Sequence, residues 1–505
     1  MKRAGKRSAH MYMIKSKFHT IQLKVNNFNS MKIAEDKLKY FGLFAILTIF
    51  FFVSCGDDLP VNVESPNETV LKSIKILNAG EGGNIVIDGV IDENAKPVWF
   101  PRVEPETDVN AIRFQVELSD GAKLDKDSYS FDFEEGQDAA TIVIKVVNAP
   151  RFREYFVTLR LNVPVFGADF EKPQIYDNTA NELGNPLYPT FVSSSTRGSG
   201  FDGKHVLIVT RAAGGSHLLD VNDLRKNEIK PIPLNLTGVS GGTFPVNLGA
   251  QINGHTYIAN LSGGLVSPLK IYHWSNPEQE PQVIANINKS EIPGAGARHG
   301  DNLSVNLDED GNGHIFFGDN ASTQILRLKV TNYTEITDPT IIEMQPRLLE
   351  PFMNMNRVGT SDNYLLTGHA APIMVASVEG TIGYKMANSS IPIRSCDPRV
   401  VYFNGERYLL VVTAARGAGD AVVMYLYNIT KGETITEALE IFESGNMTPI
   451  YQYPLLGPVN TSPSTQTGWY VTKDNEGNDD TLMLYGASND AGFVLIEFPK
   501  KTLDD

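Results

Sequence analysis

The stretch Leu303–Leu328, LSVNLDEDGNGHIFFGDNASTQILRL, contains the pattern that decides the fold. Apolar residues alternate through Leu303–Leu307, a turn of Asp, Gly and Asn follows, and the apolar run His314–Phe317 leads through a second polar turn to Ile325–Leu328. Two strands joined by turn residues and followed by a third form one antiparallel unit. Because such a unit cannot bury both faces alone, repeated copies of it predict stacked or radial packing.

Six copies of this unit can be counted in residues 166–505. Each begins at a glycine or an equivalent turn residue, and the spacings along the chain are 51, 59, 50, 42 and 63 residues. That period is typical of one four-stranded β-propeller blade with variable loops. A seventh unit could be assembled from Tyr188–Ser193 and a terminal strand, so the sequence predicts six or seven blades. A large β-sandwich or solenoid is the alternative. The turn positions are Gly203, Gly254, Gly313, Asn363, Gly405 and Gly468.

The N-terminus is typical of an exported lipoprotein. Leu43–Val53 is an uncharged apolar run that follows three lysines and is too short for a comfortable membrane span. It leads into Val53-Ser54-Cys55-Gly56, which resembles a bacterial lipobox. The resemblance implies that residues 1–54 are a signal peptide and that Cys55 becomes the lipid-modified first residue. A short signal anchor with an incidental cysteine is the alternative.

Residues 55–68 are polar, contain two prolines and lack periodicity, so we expect a lipidated tether. The acids Asp57 and Asp58 beside Cys55 resemble the export signal of Bacteroidota surface lipoproteins. This resemblance implies an outer-membrane protein that faces the cell exterior. Initiation at Met31 would give a signal peptide of ordinary length.

Residues 69–165 are predicted to form a separate small β-sandwich of immunoglobulin type. Six short apolar or alternating runs are separated by turn residues, with no amphipathic helix between them. The segments Thr107–Val109, Leu118–Ala122 and Tyr155–Thr158 resemble an Ig-like domain of unknown function near the N-terminus of Bacteroidota lipoproteins. Residues 166–505 resemble the β-propeller domain of unknown function that follows it in those proteins. The expected fold class is therefore all-β, and the resemblance implies no reaction.

Composition excludes several classes of function. The formal net charge is −15, and residues 1–54 hold ten of the 44 Lys and Arg residues against two acids, so the remainder is more acidic still. Nucleic acid and anionic lipid surfaces are therefore poor partners. Only Cys55 and Cys396 are present, and lipidation of Cys55 would leave no intramolecular disulfide. Zinc-protease (His-Glu-x-x-His) and phosphate-loop motifs are absent from the sequence.

Five basic residues are candidate ligand-binding residues. Arg211, Arg298, His299, His369 and Arg416 lie in short loops rich in glycine and alanine beside predicted strands. Propellers place such loops around one mouth of a central channel, and guanidinium forks recognise carboxylates through paired hydrogen bonds. The five residues therefore predict a funnel for an anionic or hydroxyl-rich ligand. The alternative is that the arginines support their loops by pairing with the abundant acids.

One turn has the spacing of a calcium-binding loop. Asp308, Asp310 and Asn312 supply oxygen atoms at positions 1, 3 and 5, and Asp319 falls at position 12. A plain turn between two strands is the alternative, because Asp-Gly-Asn-Gly is also a common hairpin composition. Calcium is accordingly the one cofactor that the sequence suggests.

The sequence favours a lipid-anchored cell-surface protein that binds an extracellular glycan or peptide. The resemblance to lipoproteins of glycan-utilisation systems suggests a glycan. Two alternatives stay open. The first is a polysaccharide lyase or glycoside hydrolase on a propeller scaffold, because the carboxylate pair that glycoside hydrolysis needs can come from distant blades. The second is a non-catalytic scaffold in an outer-membrane uptake complex.

Overall fold

The computed structural model describes residues 67–92, 97–134, 137–320, 324–344 and 352–503. Two compact units divide the chain between Val163 and Pro164. Within the described ranges, no helix is both long and apolar enough to cross a membrane. The signal peptide and Cys55 lie outside the described residues, so their assignment stays a prediction.

The N-terminal unit consists of two sheets that share one hydrophobic core. Its strands are β1 (Leu71–Ala79), β2 (Ile85–Asp88), β3 (Val90–Ile91), β4 (Pro97–Trp99), β5 (Phe114–Leu118), β6 (Lys123–Leu124), β7 (Ala139–Asn148) and β8 (Arg151–Arg160). One sheet has the order β2-β1-β5 and the other has the order β3-β4-β8-β7-β6. Ile76 of the first sheet and Ile144 and Val157 of the second are completely buried in the shared core. Strands β4 and β8 pair in parallel, and the other neighbours are antiparallel.

The C-terminal unit contains six four-stranded antiparallel sheets in its described residues. The strands of sheets 1 to 3 are β10 (Thr196–Phe201), β11 (His205–Thr210), β12 (His217–Asp220), β13 (Ile232–Pro233); β14 (Phe244–Ile252), β15 (His255–Leu261), β16 (Leu269–Trp274), β17 (Gln282–Ile287); and β18 (Ser304–Leu307), β19 (Gly313–Gly318), β20 (Gln324–Thr331), β21 (Glu335–Glu343).

Sheets 4 to 6 repeat this plan, and short helices occur only in connections between described strands. The strands are β22 (Asn354–Arg357), β23 (Asn363–Gly368), β24 (Ala371–Ser377), β25 (Ile382–Lys385); β26 (Ser395–Phe403), β27 (Glu406–Thr413), β28 (Val423–Asn428), β29 (Tyr451–Pro454); and β30 (Thr465–Lys473), β31 (Asp479–Ser488), β32 (Gly492–Pro499), β9 (Gln174–Thr179). The helices are α1 (Val221–Arg225), α2 (Ile435–Ser444) and a 3-10 helix, Lys289–Glu291.

The first strand of the C-terminal unit completes its last sheet. Strand β9 pairs with β32 in a continuous register from Gln174 opposite Glu497 to Thr179 opposite Gly492. The chain therefore supplies the outer strand of sheet 6 before it enters sheet 1. Tyr188–Ser193, which the sequence offered for a seventh unit, contains no strand. The described residues of the C-terminal unit thus form six sheets.

Six hydrophobic cores lie between successive sheets. Each core combines buried side chains from one sheet and the next, and the core that contains Val206 and Ile208 of sheet 1 also contains Tyr485 and Leu495 of sheet 6. The middle strands therefore have neighbours on both faces. This explains why β27 is an almost unbroken apolar run that is buried along nearly its whole length rather than an alternating one.

Glycine allows the first strands of neighbouring sheets to approach closely. A Cβ atom at Gly198 would lie 2.6 Å from the backbone nitrogen of Gly249, and one at Gly200 would lie 2.4 Å from that of Gln251. Gly468 has a related role, because a Cβ there would lie 2.9 Å from Cβ of Phe201. The sequence placed Gly468 at the turn of the sixth unit. It lies instead within β30, and the turn follows at Asp474–Asn478.

Replacement of Gly200 by alanine should therefore lower stability by about 1–3 kcal/mol, because the new methyl group meets backbone atoms that cannot move independently. Urea unfolding of wild type and Gly200→Ala would measure the change. Gly264→Ala is the matched control, since a Cβ at Gly264 meets no atom within 4 Å. Equal unfolding midpoints for the two variants would contradict the close approach.

Candidate functional site

All five predicted ligand-binding residues lie at the same end of their sheets. In an antiparallel sheet, the segment before the first strand and the connection from the second strand to the third meet at one edge. Arg298 and His299 precede β18, whereas Arg211, His369 and Arg416 lie between second and third strands. We call this end of the C-terminal unit, where first strands begin and second strands lead into third strands, the arginine end. The predicted clustering on one edge thus follows from the strand order.

Three arginines and one aspartate form the centre of the arginine end. Arg298 donates two hydrogen bonds to Oδ2 of Asp301, from Nε at 3.0 Å and from Nη2 at 2.6 Å. The Asp301 charge also acts on Arg197, the second residue of β10, and on Arg211. The Asp301 carboxylate therefore bonds to Arg298 and interacts with Arg197 and Arg211 only through its charge.

Arg197 and Arg211 are held by neutral partners and aromatic rings. Nη1 of Arg197 donates to the carbonyl oxygen of Ser462, and its guanidinium carbon lies 5.8 Å from the ring centroid of Phe352. Nη2 of Arg211 donates to Oδ1 of Asn247, and its guanidinium carbon lies 3.4 Å above the ring centroid of Phe244. Stacking on a ring fixes the plane of a guanidinium group and leaves its N–H edge available.

Burial changes the acid–base properties of both arginines. Loss of solvent lowers the pKa of Arg197, with Asp301 and Asp490 opposing the change. Loss of solvent and the nearby Arg197 charge lower the pKa of Arg211 to about 10, and Asp301 opposes this shift. Both side chains stay charged at neutral pH. Among the described residues, no acceptor bonds to Nε of either arginine.

The two predicted histidines lie beneath this surface. His299 is completely buried and His369 is 2% exposed. Burial, with a contribution from Lys289, lowers the pKa of His299 to about 4, and burial lowers that of His369 to about 3. Both rings are therefore neutral near pH 7. The ring of His369 stacks on Phe352 at 4.7 Å, so its position supports the aromatic ring that faces Arg197.

A fully buried lysine supports the loop that carries Arg298. Nζ of Lys289 donates to Oγ of Ser262 at 2.6 Å, and the backbone N–H of His299 donates to the same oxygen at 2.9 Å. Gly300 follows with φ +100, and a Cβ there would lie 2.1 Å from the carbonyl oxygen of Asn260. The loop can therefore lie this close to sheet 2 only with glycine at position 300.

Arg416 lies on a different loop from the central arginines. Its backbone N–H donates to Oδ2 of Asp420 at 3.0 Å, and Nη1 of Arg394 bonds to the same oxygen at 2.8 Å. Arg394 is close enough to influence the pKa of His369. The structure therefore brings Arg211 and Arg298 together with Arg197, and it places Arg416 beside the Arg394–Asp420 ion pair.

The four predicted calcium ligands do not form one site. Oδ1 of Asp308 accepts the backbone N–H groups of Asp310 and Asn312, at 3.0 and 2.8 Å, and so closes the turn between β18 and β19. Asp319 follows the far end of β19, where its Oδ1 accepts the N–H of Gln324. The whole length of a six-residue strand separates it from the other three. The described residues contain no group of three or more His, Cys, Asp or Glu residues placed to hold a metal ion.

Cys396 is the one free cysteine of the described residues and is buried. Burial raises the pKa of its thiol to about 12, so the sulfur is protonated at neutral pH. Its Sγ lies 3.2 Å from the carbonyl oxygen of Arg394. A protonated, buried thiol is a poor nucleophile, and this environment suits a packing role.

A cavity of about 220 Å³ lies among the first strands of sheets 1, 2, 3, 5 and 6. Its lining includes the ion pair between Asp397 and Arg399, whose Oδ2 and Nη2 atoms are 3.6 Å apart, together with Gln251 and Gln466. Nε2 of Gln466 contacts the carbonyl oxygen of Arg197 at 3.4 Å. The polar lining of the cavity is thereby connected to the arginine end.

Several exposed apolar side chains lie at the arginine end. They lie on segments before first strands, at the start of β14, or between second and third strands, and several are more than 60% exposed. Such a rim can contact the nonpolar face of a sugar ring or the side chains of a peptide. Its members are Leu183, Val192, Phe244, Leu265, Val266, Ile393, Leu456 and Val459.

Sequence reasoning missed Arg197 and Asp301. Arg197 stands in Thr196-Arg197-Gly198-Ser199-Gly200, a run of small residues that lacks the apolar pattern of a strand. The run of small residues is the feature of the sequence that could have identified Arg197, since small residues permit first strands to pack closely around a single large side chain. Asp301 follows His299-Gly300 directly, and its partner at i−3, Arg298, was already a candidate.

Fold and site together define a nearly all-β protein with six successive four-stranded sheets and a cluster of arginines at one end. The chain belongs to the family defined by the domain of unknown function DUF4623, which matches residues 57–501. It is similar to the crystal structure of a DUF4623 family protein from Bacteroides eggerthii, with 43% identity, 86% of this chain and 99% of that chain covered, and a TM-score of 0.77. No curated protein matches the chain.

Two further solved structures from Bacteroides thetaiotaomicron are more distant. A quinonprotein alcohol dehydrogenase-like protein shares 11% identity, with 76% of this chain and 92% of that chain covered and a TM-score of 0.29. An endo-arabinase shares 14% identity, with 62% and 94% covered and a TM-score of 0.29. Likenesses at this level carry no argument about function.

The depressed histidine pKa values predict acid sensitivity. The unfolded chain binds a proton at His369 below its ordinary pKa of 6.5, whereas the folded chain does so only near 3. Stability should therefore fall as pH decreases from 6.5, and His369 alone would contribute about 2 kcal/mol of loss at pH 5. Urea unfolding at pH 7 and pH 5 would show a smaller loss for His369→Phe than for wild type. Identical losses would contradict a neutral, buried His369.

Proposed function

We propose that this protein is a lipid-anchored cell-surface protein that binds an extracellular glycan at the arginine end. In this proposal the six sheets are the blades of a six-bladed β-propeller, and the N-terminal unit is an Ig-like spacer. The cyclic order of the six cores and the contact between β10 and β30 support the propeller. The two-sheet core of the N-terminal unit supports the sandwich.

The observation that carries the proposal is a group of buried polar atoms at the arginine end that lack hydrogen-bond partners among the described residues. Besides Nε of Arg197 and of Arg211, these include Oγ of Ser488 and Nδ2 of Asn489, for which the described residues offer no hydrogen-bond partner. A buried polar group without a partner destabilises a fold by about 1–3 kcal/mol. Unpartnered donors concentrated beside guanidinium groups support binding of a ligand rich in hydroxyl and carboxylate oxygens at this end.

The proposed location follows from the sequence. Lipidation at Cys55 would hold the folded units on the outer membrane, facing the exterior, with residues 55–68 as the tether. A surface glycan-binding protein would deliver its ligand to an outer-membrane uptake complex.

A polysaccharide panel tests the proposed binding. Purified protein from residue 60 onward should retain at least one polysaccharide on affinity electrophoresis and release no products. New reducing ends or unsaturated products would contradict a purely binding role and identify an enzyme. Neither retention nor products would contradict glycan binding and favour a scaffold in an uptake complex.

The anchor is tested separately. Cys55→Ala should move the protein from the membrane fraction to the soluble fraction, because a protein without its acyl chains loses the buried CH₂ groups that hold it in lipid. Fractionation of cells that express wild type or Cys55→Ala would measure this, with Cys396→Ala as the control that keeps the anchor. Membrane retention of Cys55→Ala would contradict the lipobox assignment.

A further inference from the structure

Arg197 is a buried cation and Arg211 a partly buried one, and among the described residues neither contacts a carboxylate. Arg197 is 6% exposed, and its Nη1 donates to the backbone carbonyl oxygen of Ser462. Arg211 is partly buried and bonds to an amide oxygen. Within the described residues, neither guanidinium group has a carboxylate oxygen within 4 Å, whereas Arg298 has one at 2.6 Å. Each of these two arginines therefore stabilises the folded state less than an ion-paired arginine would.

The charged groups around Arg197 and Arg211 carry a net positive charge. Arg197, Arg211 and Arg298 contribute three positive charges, and Asp301 and Asp490 are the carboxylates that act on Arg197. Asp490 already accepts from Ser194 and Asn460. One positive charge therefore stays uncompensated in a chain whose formal net charge is −15. A local charge opposite in sign to that of the whole protein attracts an anion to this place in particular.

We infer that Arg197 and Arg211 bind one monoanionic group, a carboxylate or a sulfate ester, carried by the ligand. The inference rests on the proposed glycan-binding function and names the class of glycan as acidic. Phe244 stacks on the guanidinium group of Arg211 at 3.4 Å, and the bonds to Ser462 and Asn247 hold one Nη of Arg197 and of Arg211, so both groups are positioned before a ligand arrives. Preorganised donors lose little conformational freedom on binding.

Asp301 limits the charge of the group that fits. Its carboxylate is fixed by two hydrogen bonds from Arg298 and is 7% exposed. A dianion such as a phosphate monoester would bring its second charge close to this carboxylate and to Asp490. Repulsion between like charges therefore favours a single negative charge at the site.

The test compares acids with neutral molecules of the same shape. D-glucuronic acid and glucose 6-sulfate are titrated against wild type at constant ionic strength, with D-glucuronamide and glucose as their neutral counterparts, and binding is followed by ligand-observed NMR. The acids should bind and the neutral counterparts should not. Whichever acid binds more tightly identifies carboxylate or sulfate as the source of the anionic group.

Arg211→Gln and Arg197→Gln should each weaken binding of the acid roughly ten- to hundredfold, because charge-assisted hydrogen bonds are lost. Arg357→Gln is the matched control. Arg357 ends β22, at the opposite end of the sheet, and bonds to backbone carbonyls of the adjacent turn. Thermal unfolding without ligand checks the folds. Removal of an uncompensated buried charge should leave the melting temperature of Arg197→Gln equal to that of wild type or raise it.

Three outcomes would overturn the inference. They are equal binding of glucuronic acid and glucuronamide, full binding by folded Arg211→Gln, and loss of binding in Arg357→Gln as large as in Arg211→Gln. The proposed function fails separately. If a polysaccharide from the panel binds wild type and both arginine variants equally, glycan binding stands and the anionic anchor is wrong.

Discussion

The pairing of β9 with β32 is the interaction on which the C-terminal unit depends. It joins the first strand of the unit to the last sheet over six residue pairs. Sheet 6 also shares a core with sheet 1, so the two ends of the unit are connected by hydrogen bonds and by packing. Without β9, β32 would be an edge strand with unpaired backbone groups.

This connection makes the six sheets mutually dependent. Every sheet shares cores with two others, and the middle strands are buried on both faces. No sheet can therefore keep its apolar surface out of water alone. A frame of this kind fixes strand ends firmly, so a charged side chain such as that of Arg197, near the start of β10, can be held in a costly buried position.

The strands of the repeated units could be predicted because a strand that is buried on both faces is apolar along most of its length. The units that begin at Gly203, Gly254 and Gly405 contain second strands where the sequence predicted them, and the turn glycines have positive φ as tight hairpins require. The sixth unit was misplaced because Gly468 serves close packing of neighbouring sheets, and composition alone does not distinguish a packing glycine from a turn glycine. The separation of Asp319 from Asp308 could not be predicted for a similar reason, because the number of residues between two acids is the same whether they form a loop or a strand. Here β19 lies between them and places the two aspartates at opposite ends of a strand.

Two of the three central arginines of the candidate site, Arg211 and Arg298, were predictable, whereas Arg197 and the roles of the histidines were not. Short loops beside strands indicated Arg211 and Arg298, because their position depends only on strand order. The protonation state of His299 and His369 depends chiefly on burial, and the charges of Lys289 and Arg394 add to the effect on His299 and His369 respectively. A histidine that is neutral and buried adds shape without charge, so the positive charge at this end comes from the arginines and from Lys289. This division explains how an acidic protein can hold a basic centre: the neutral ring of His369 packs on Phe352, beside Arg197, without adding charge.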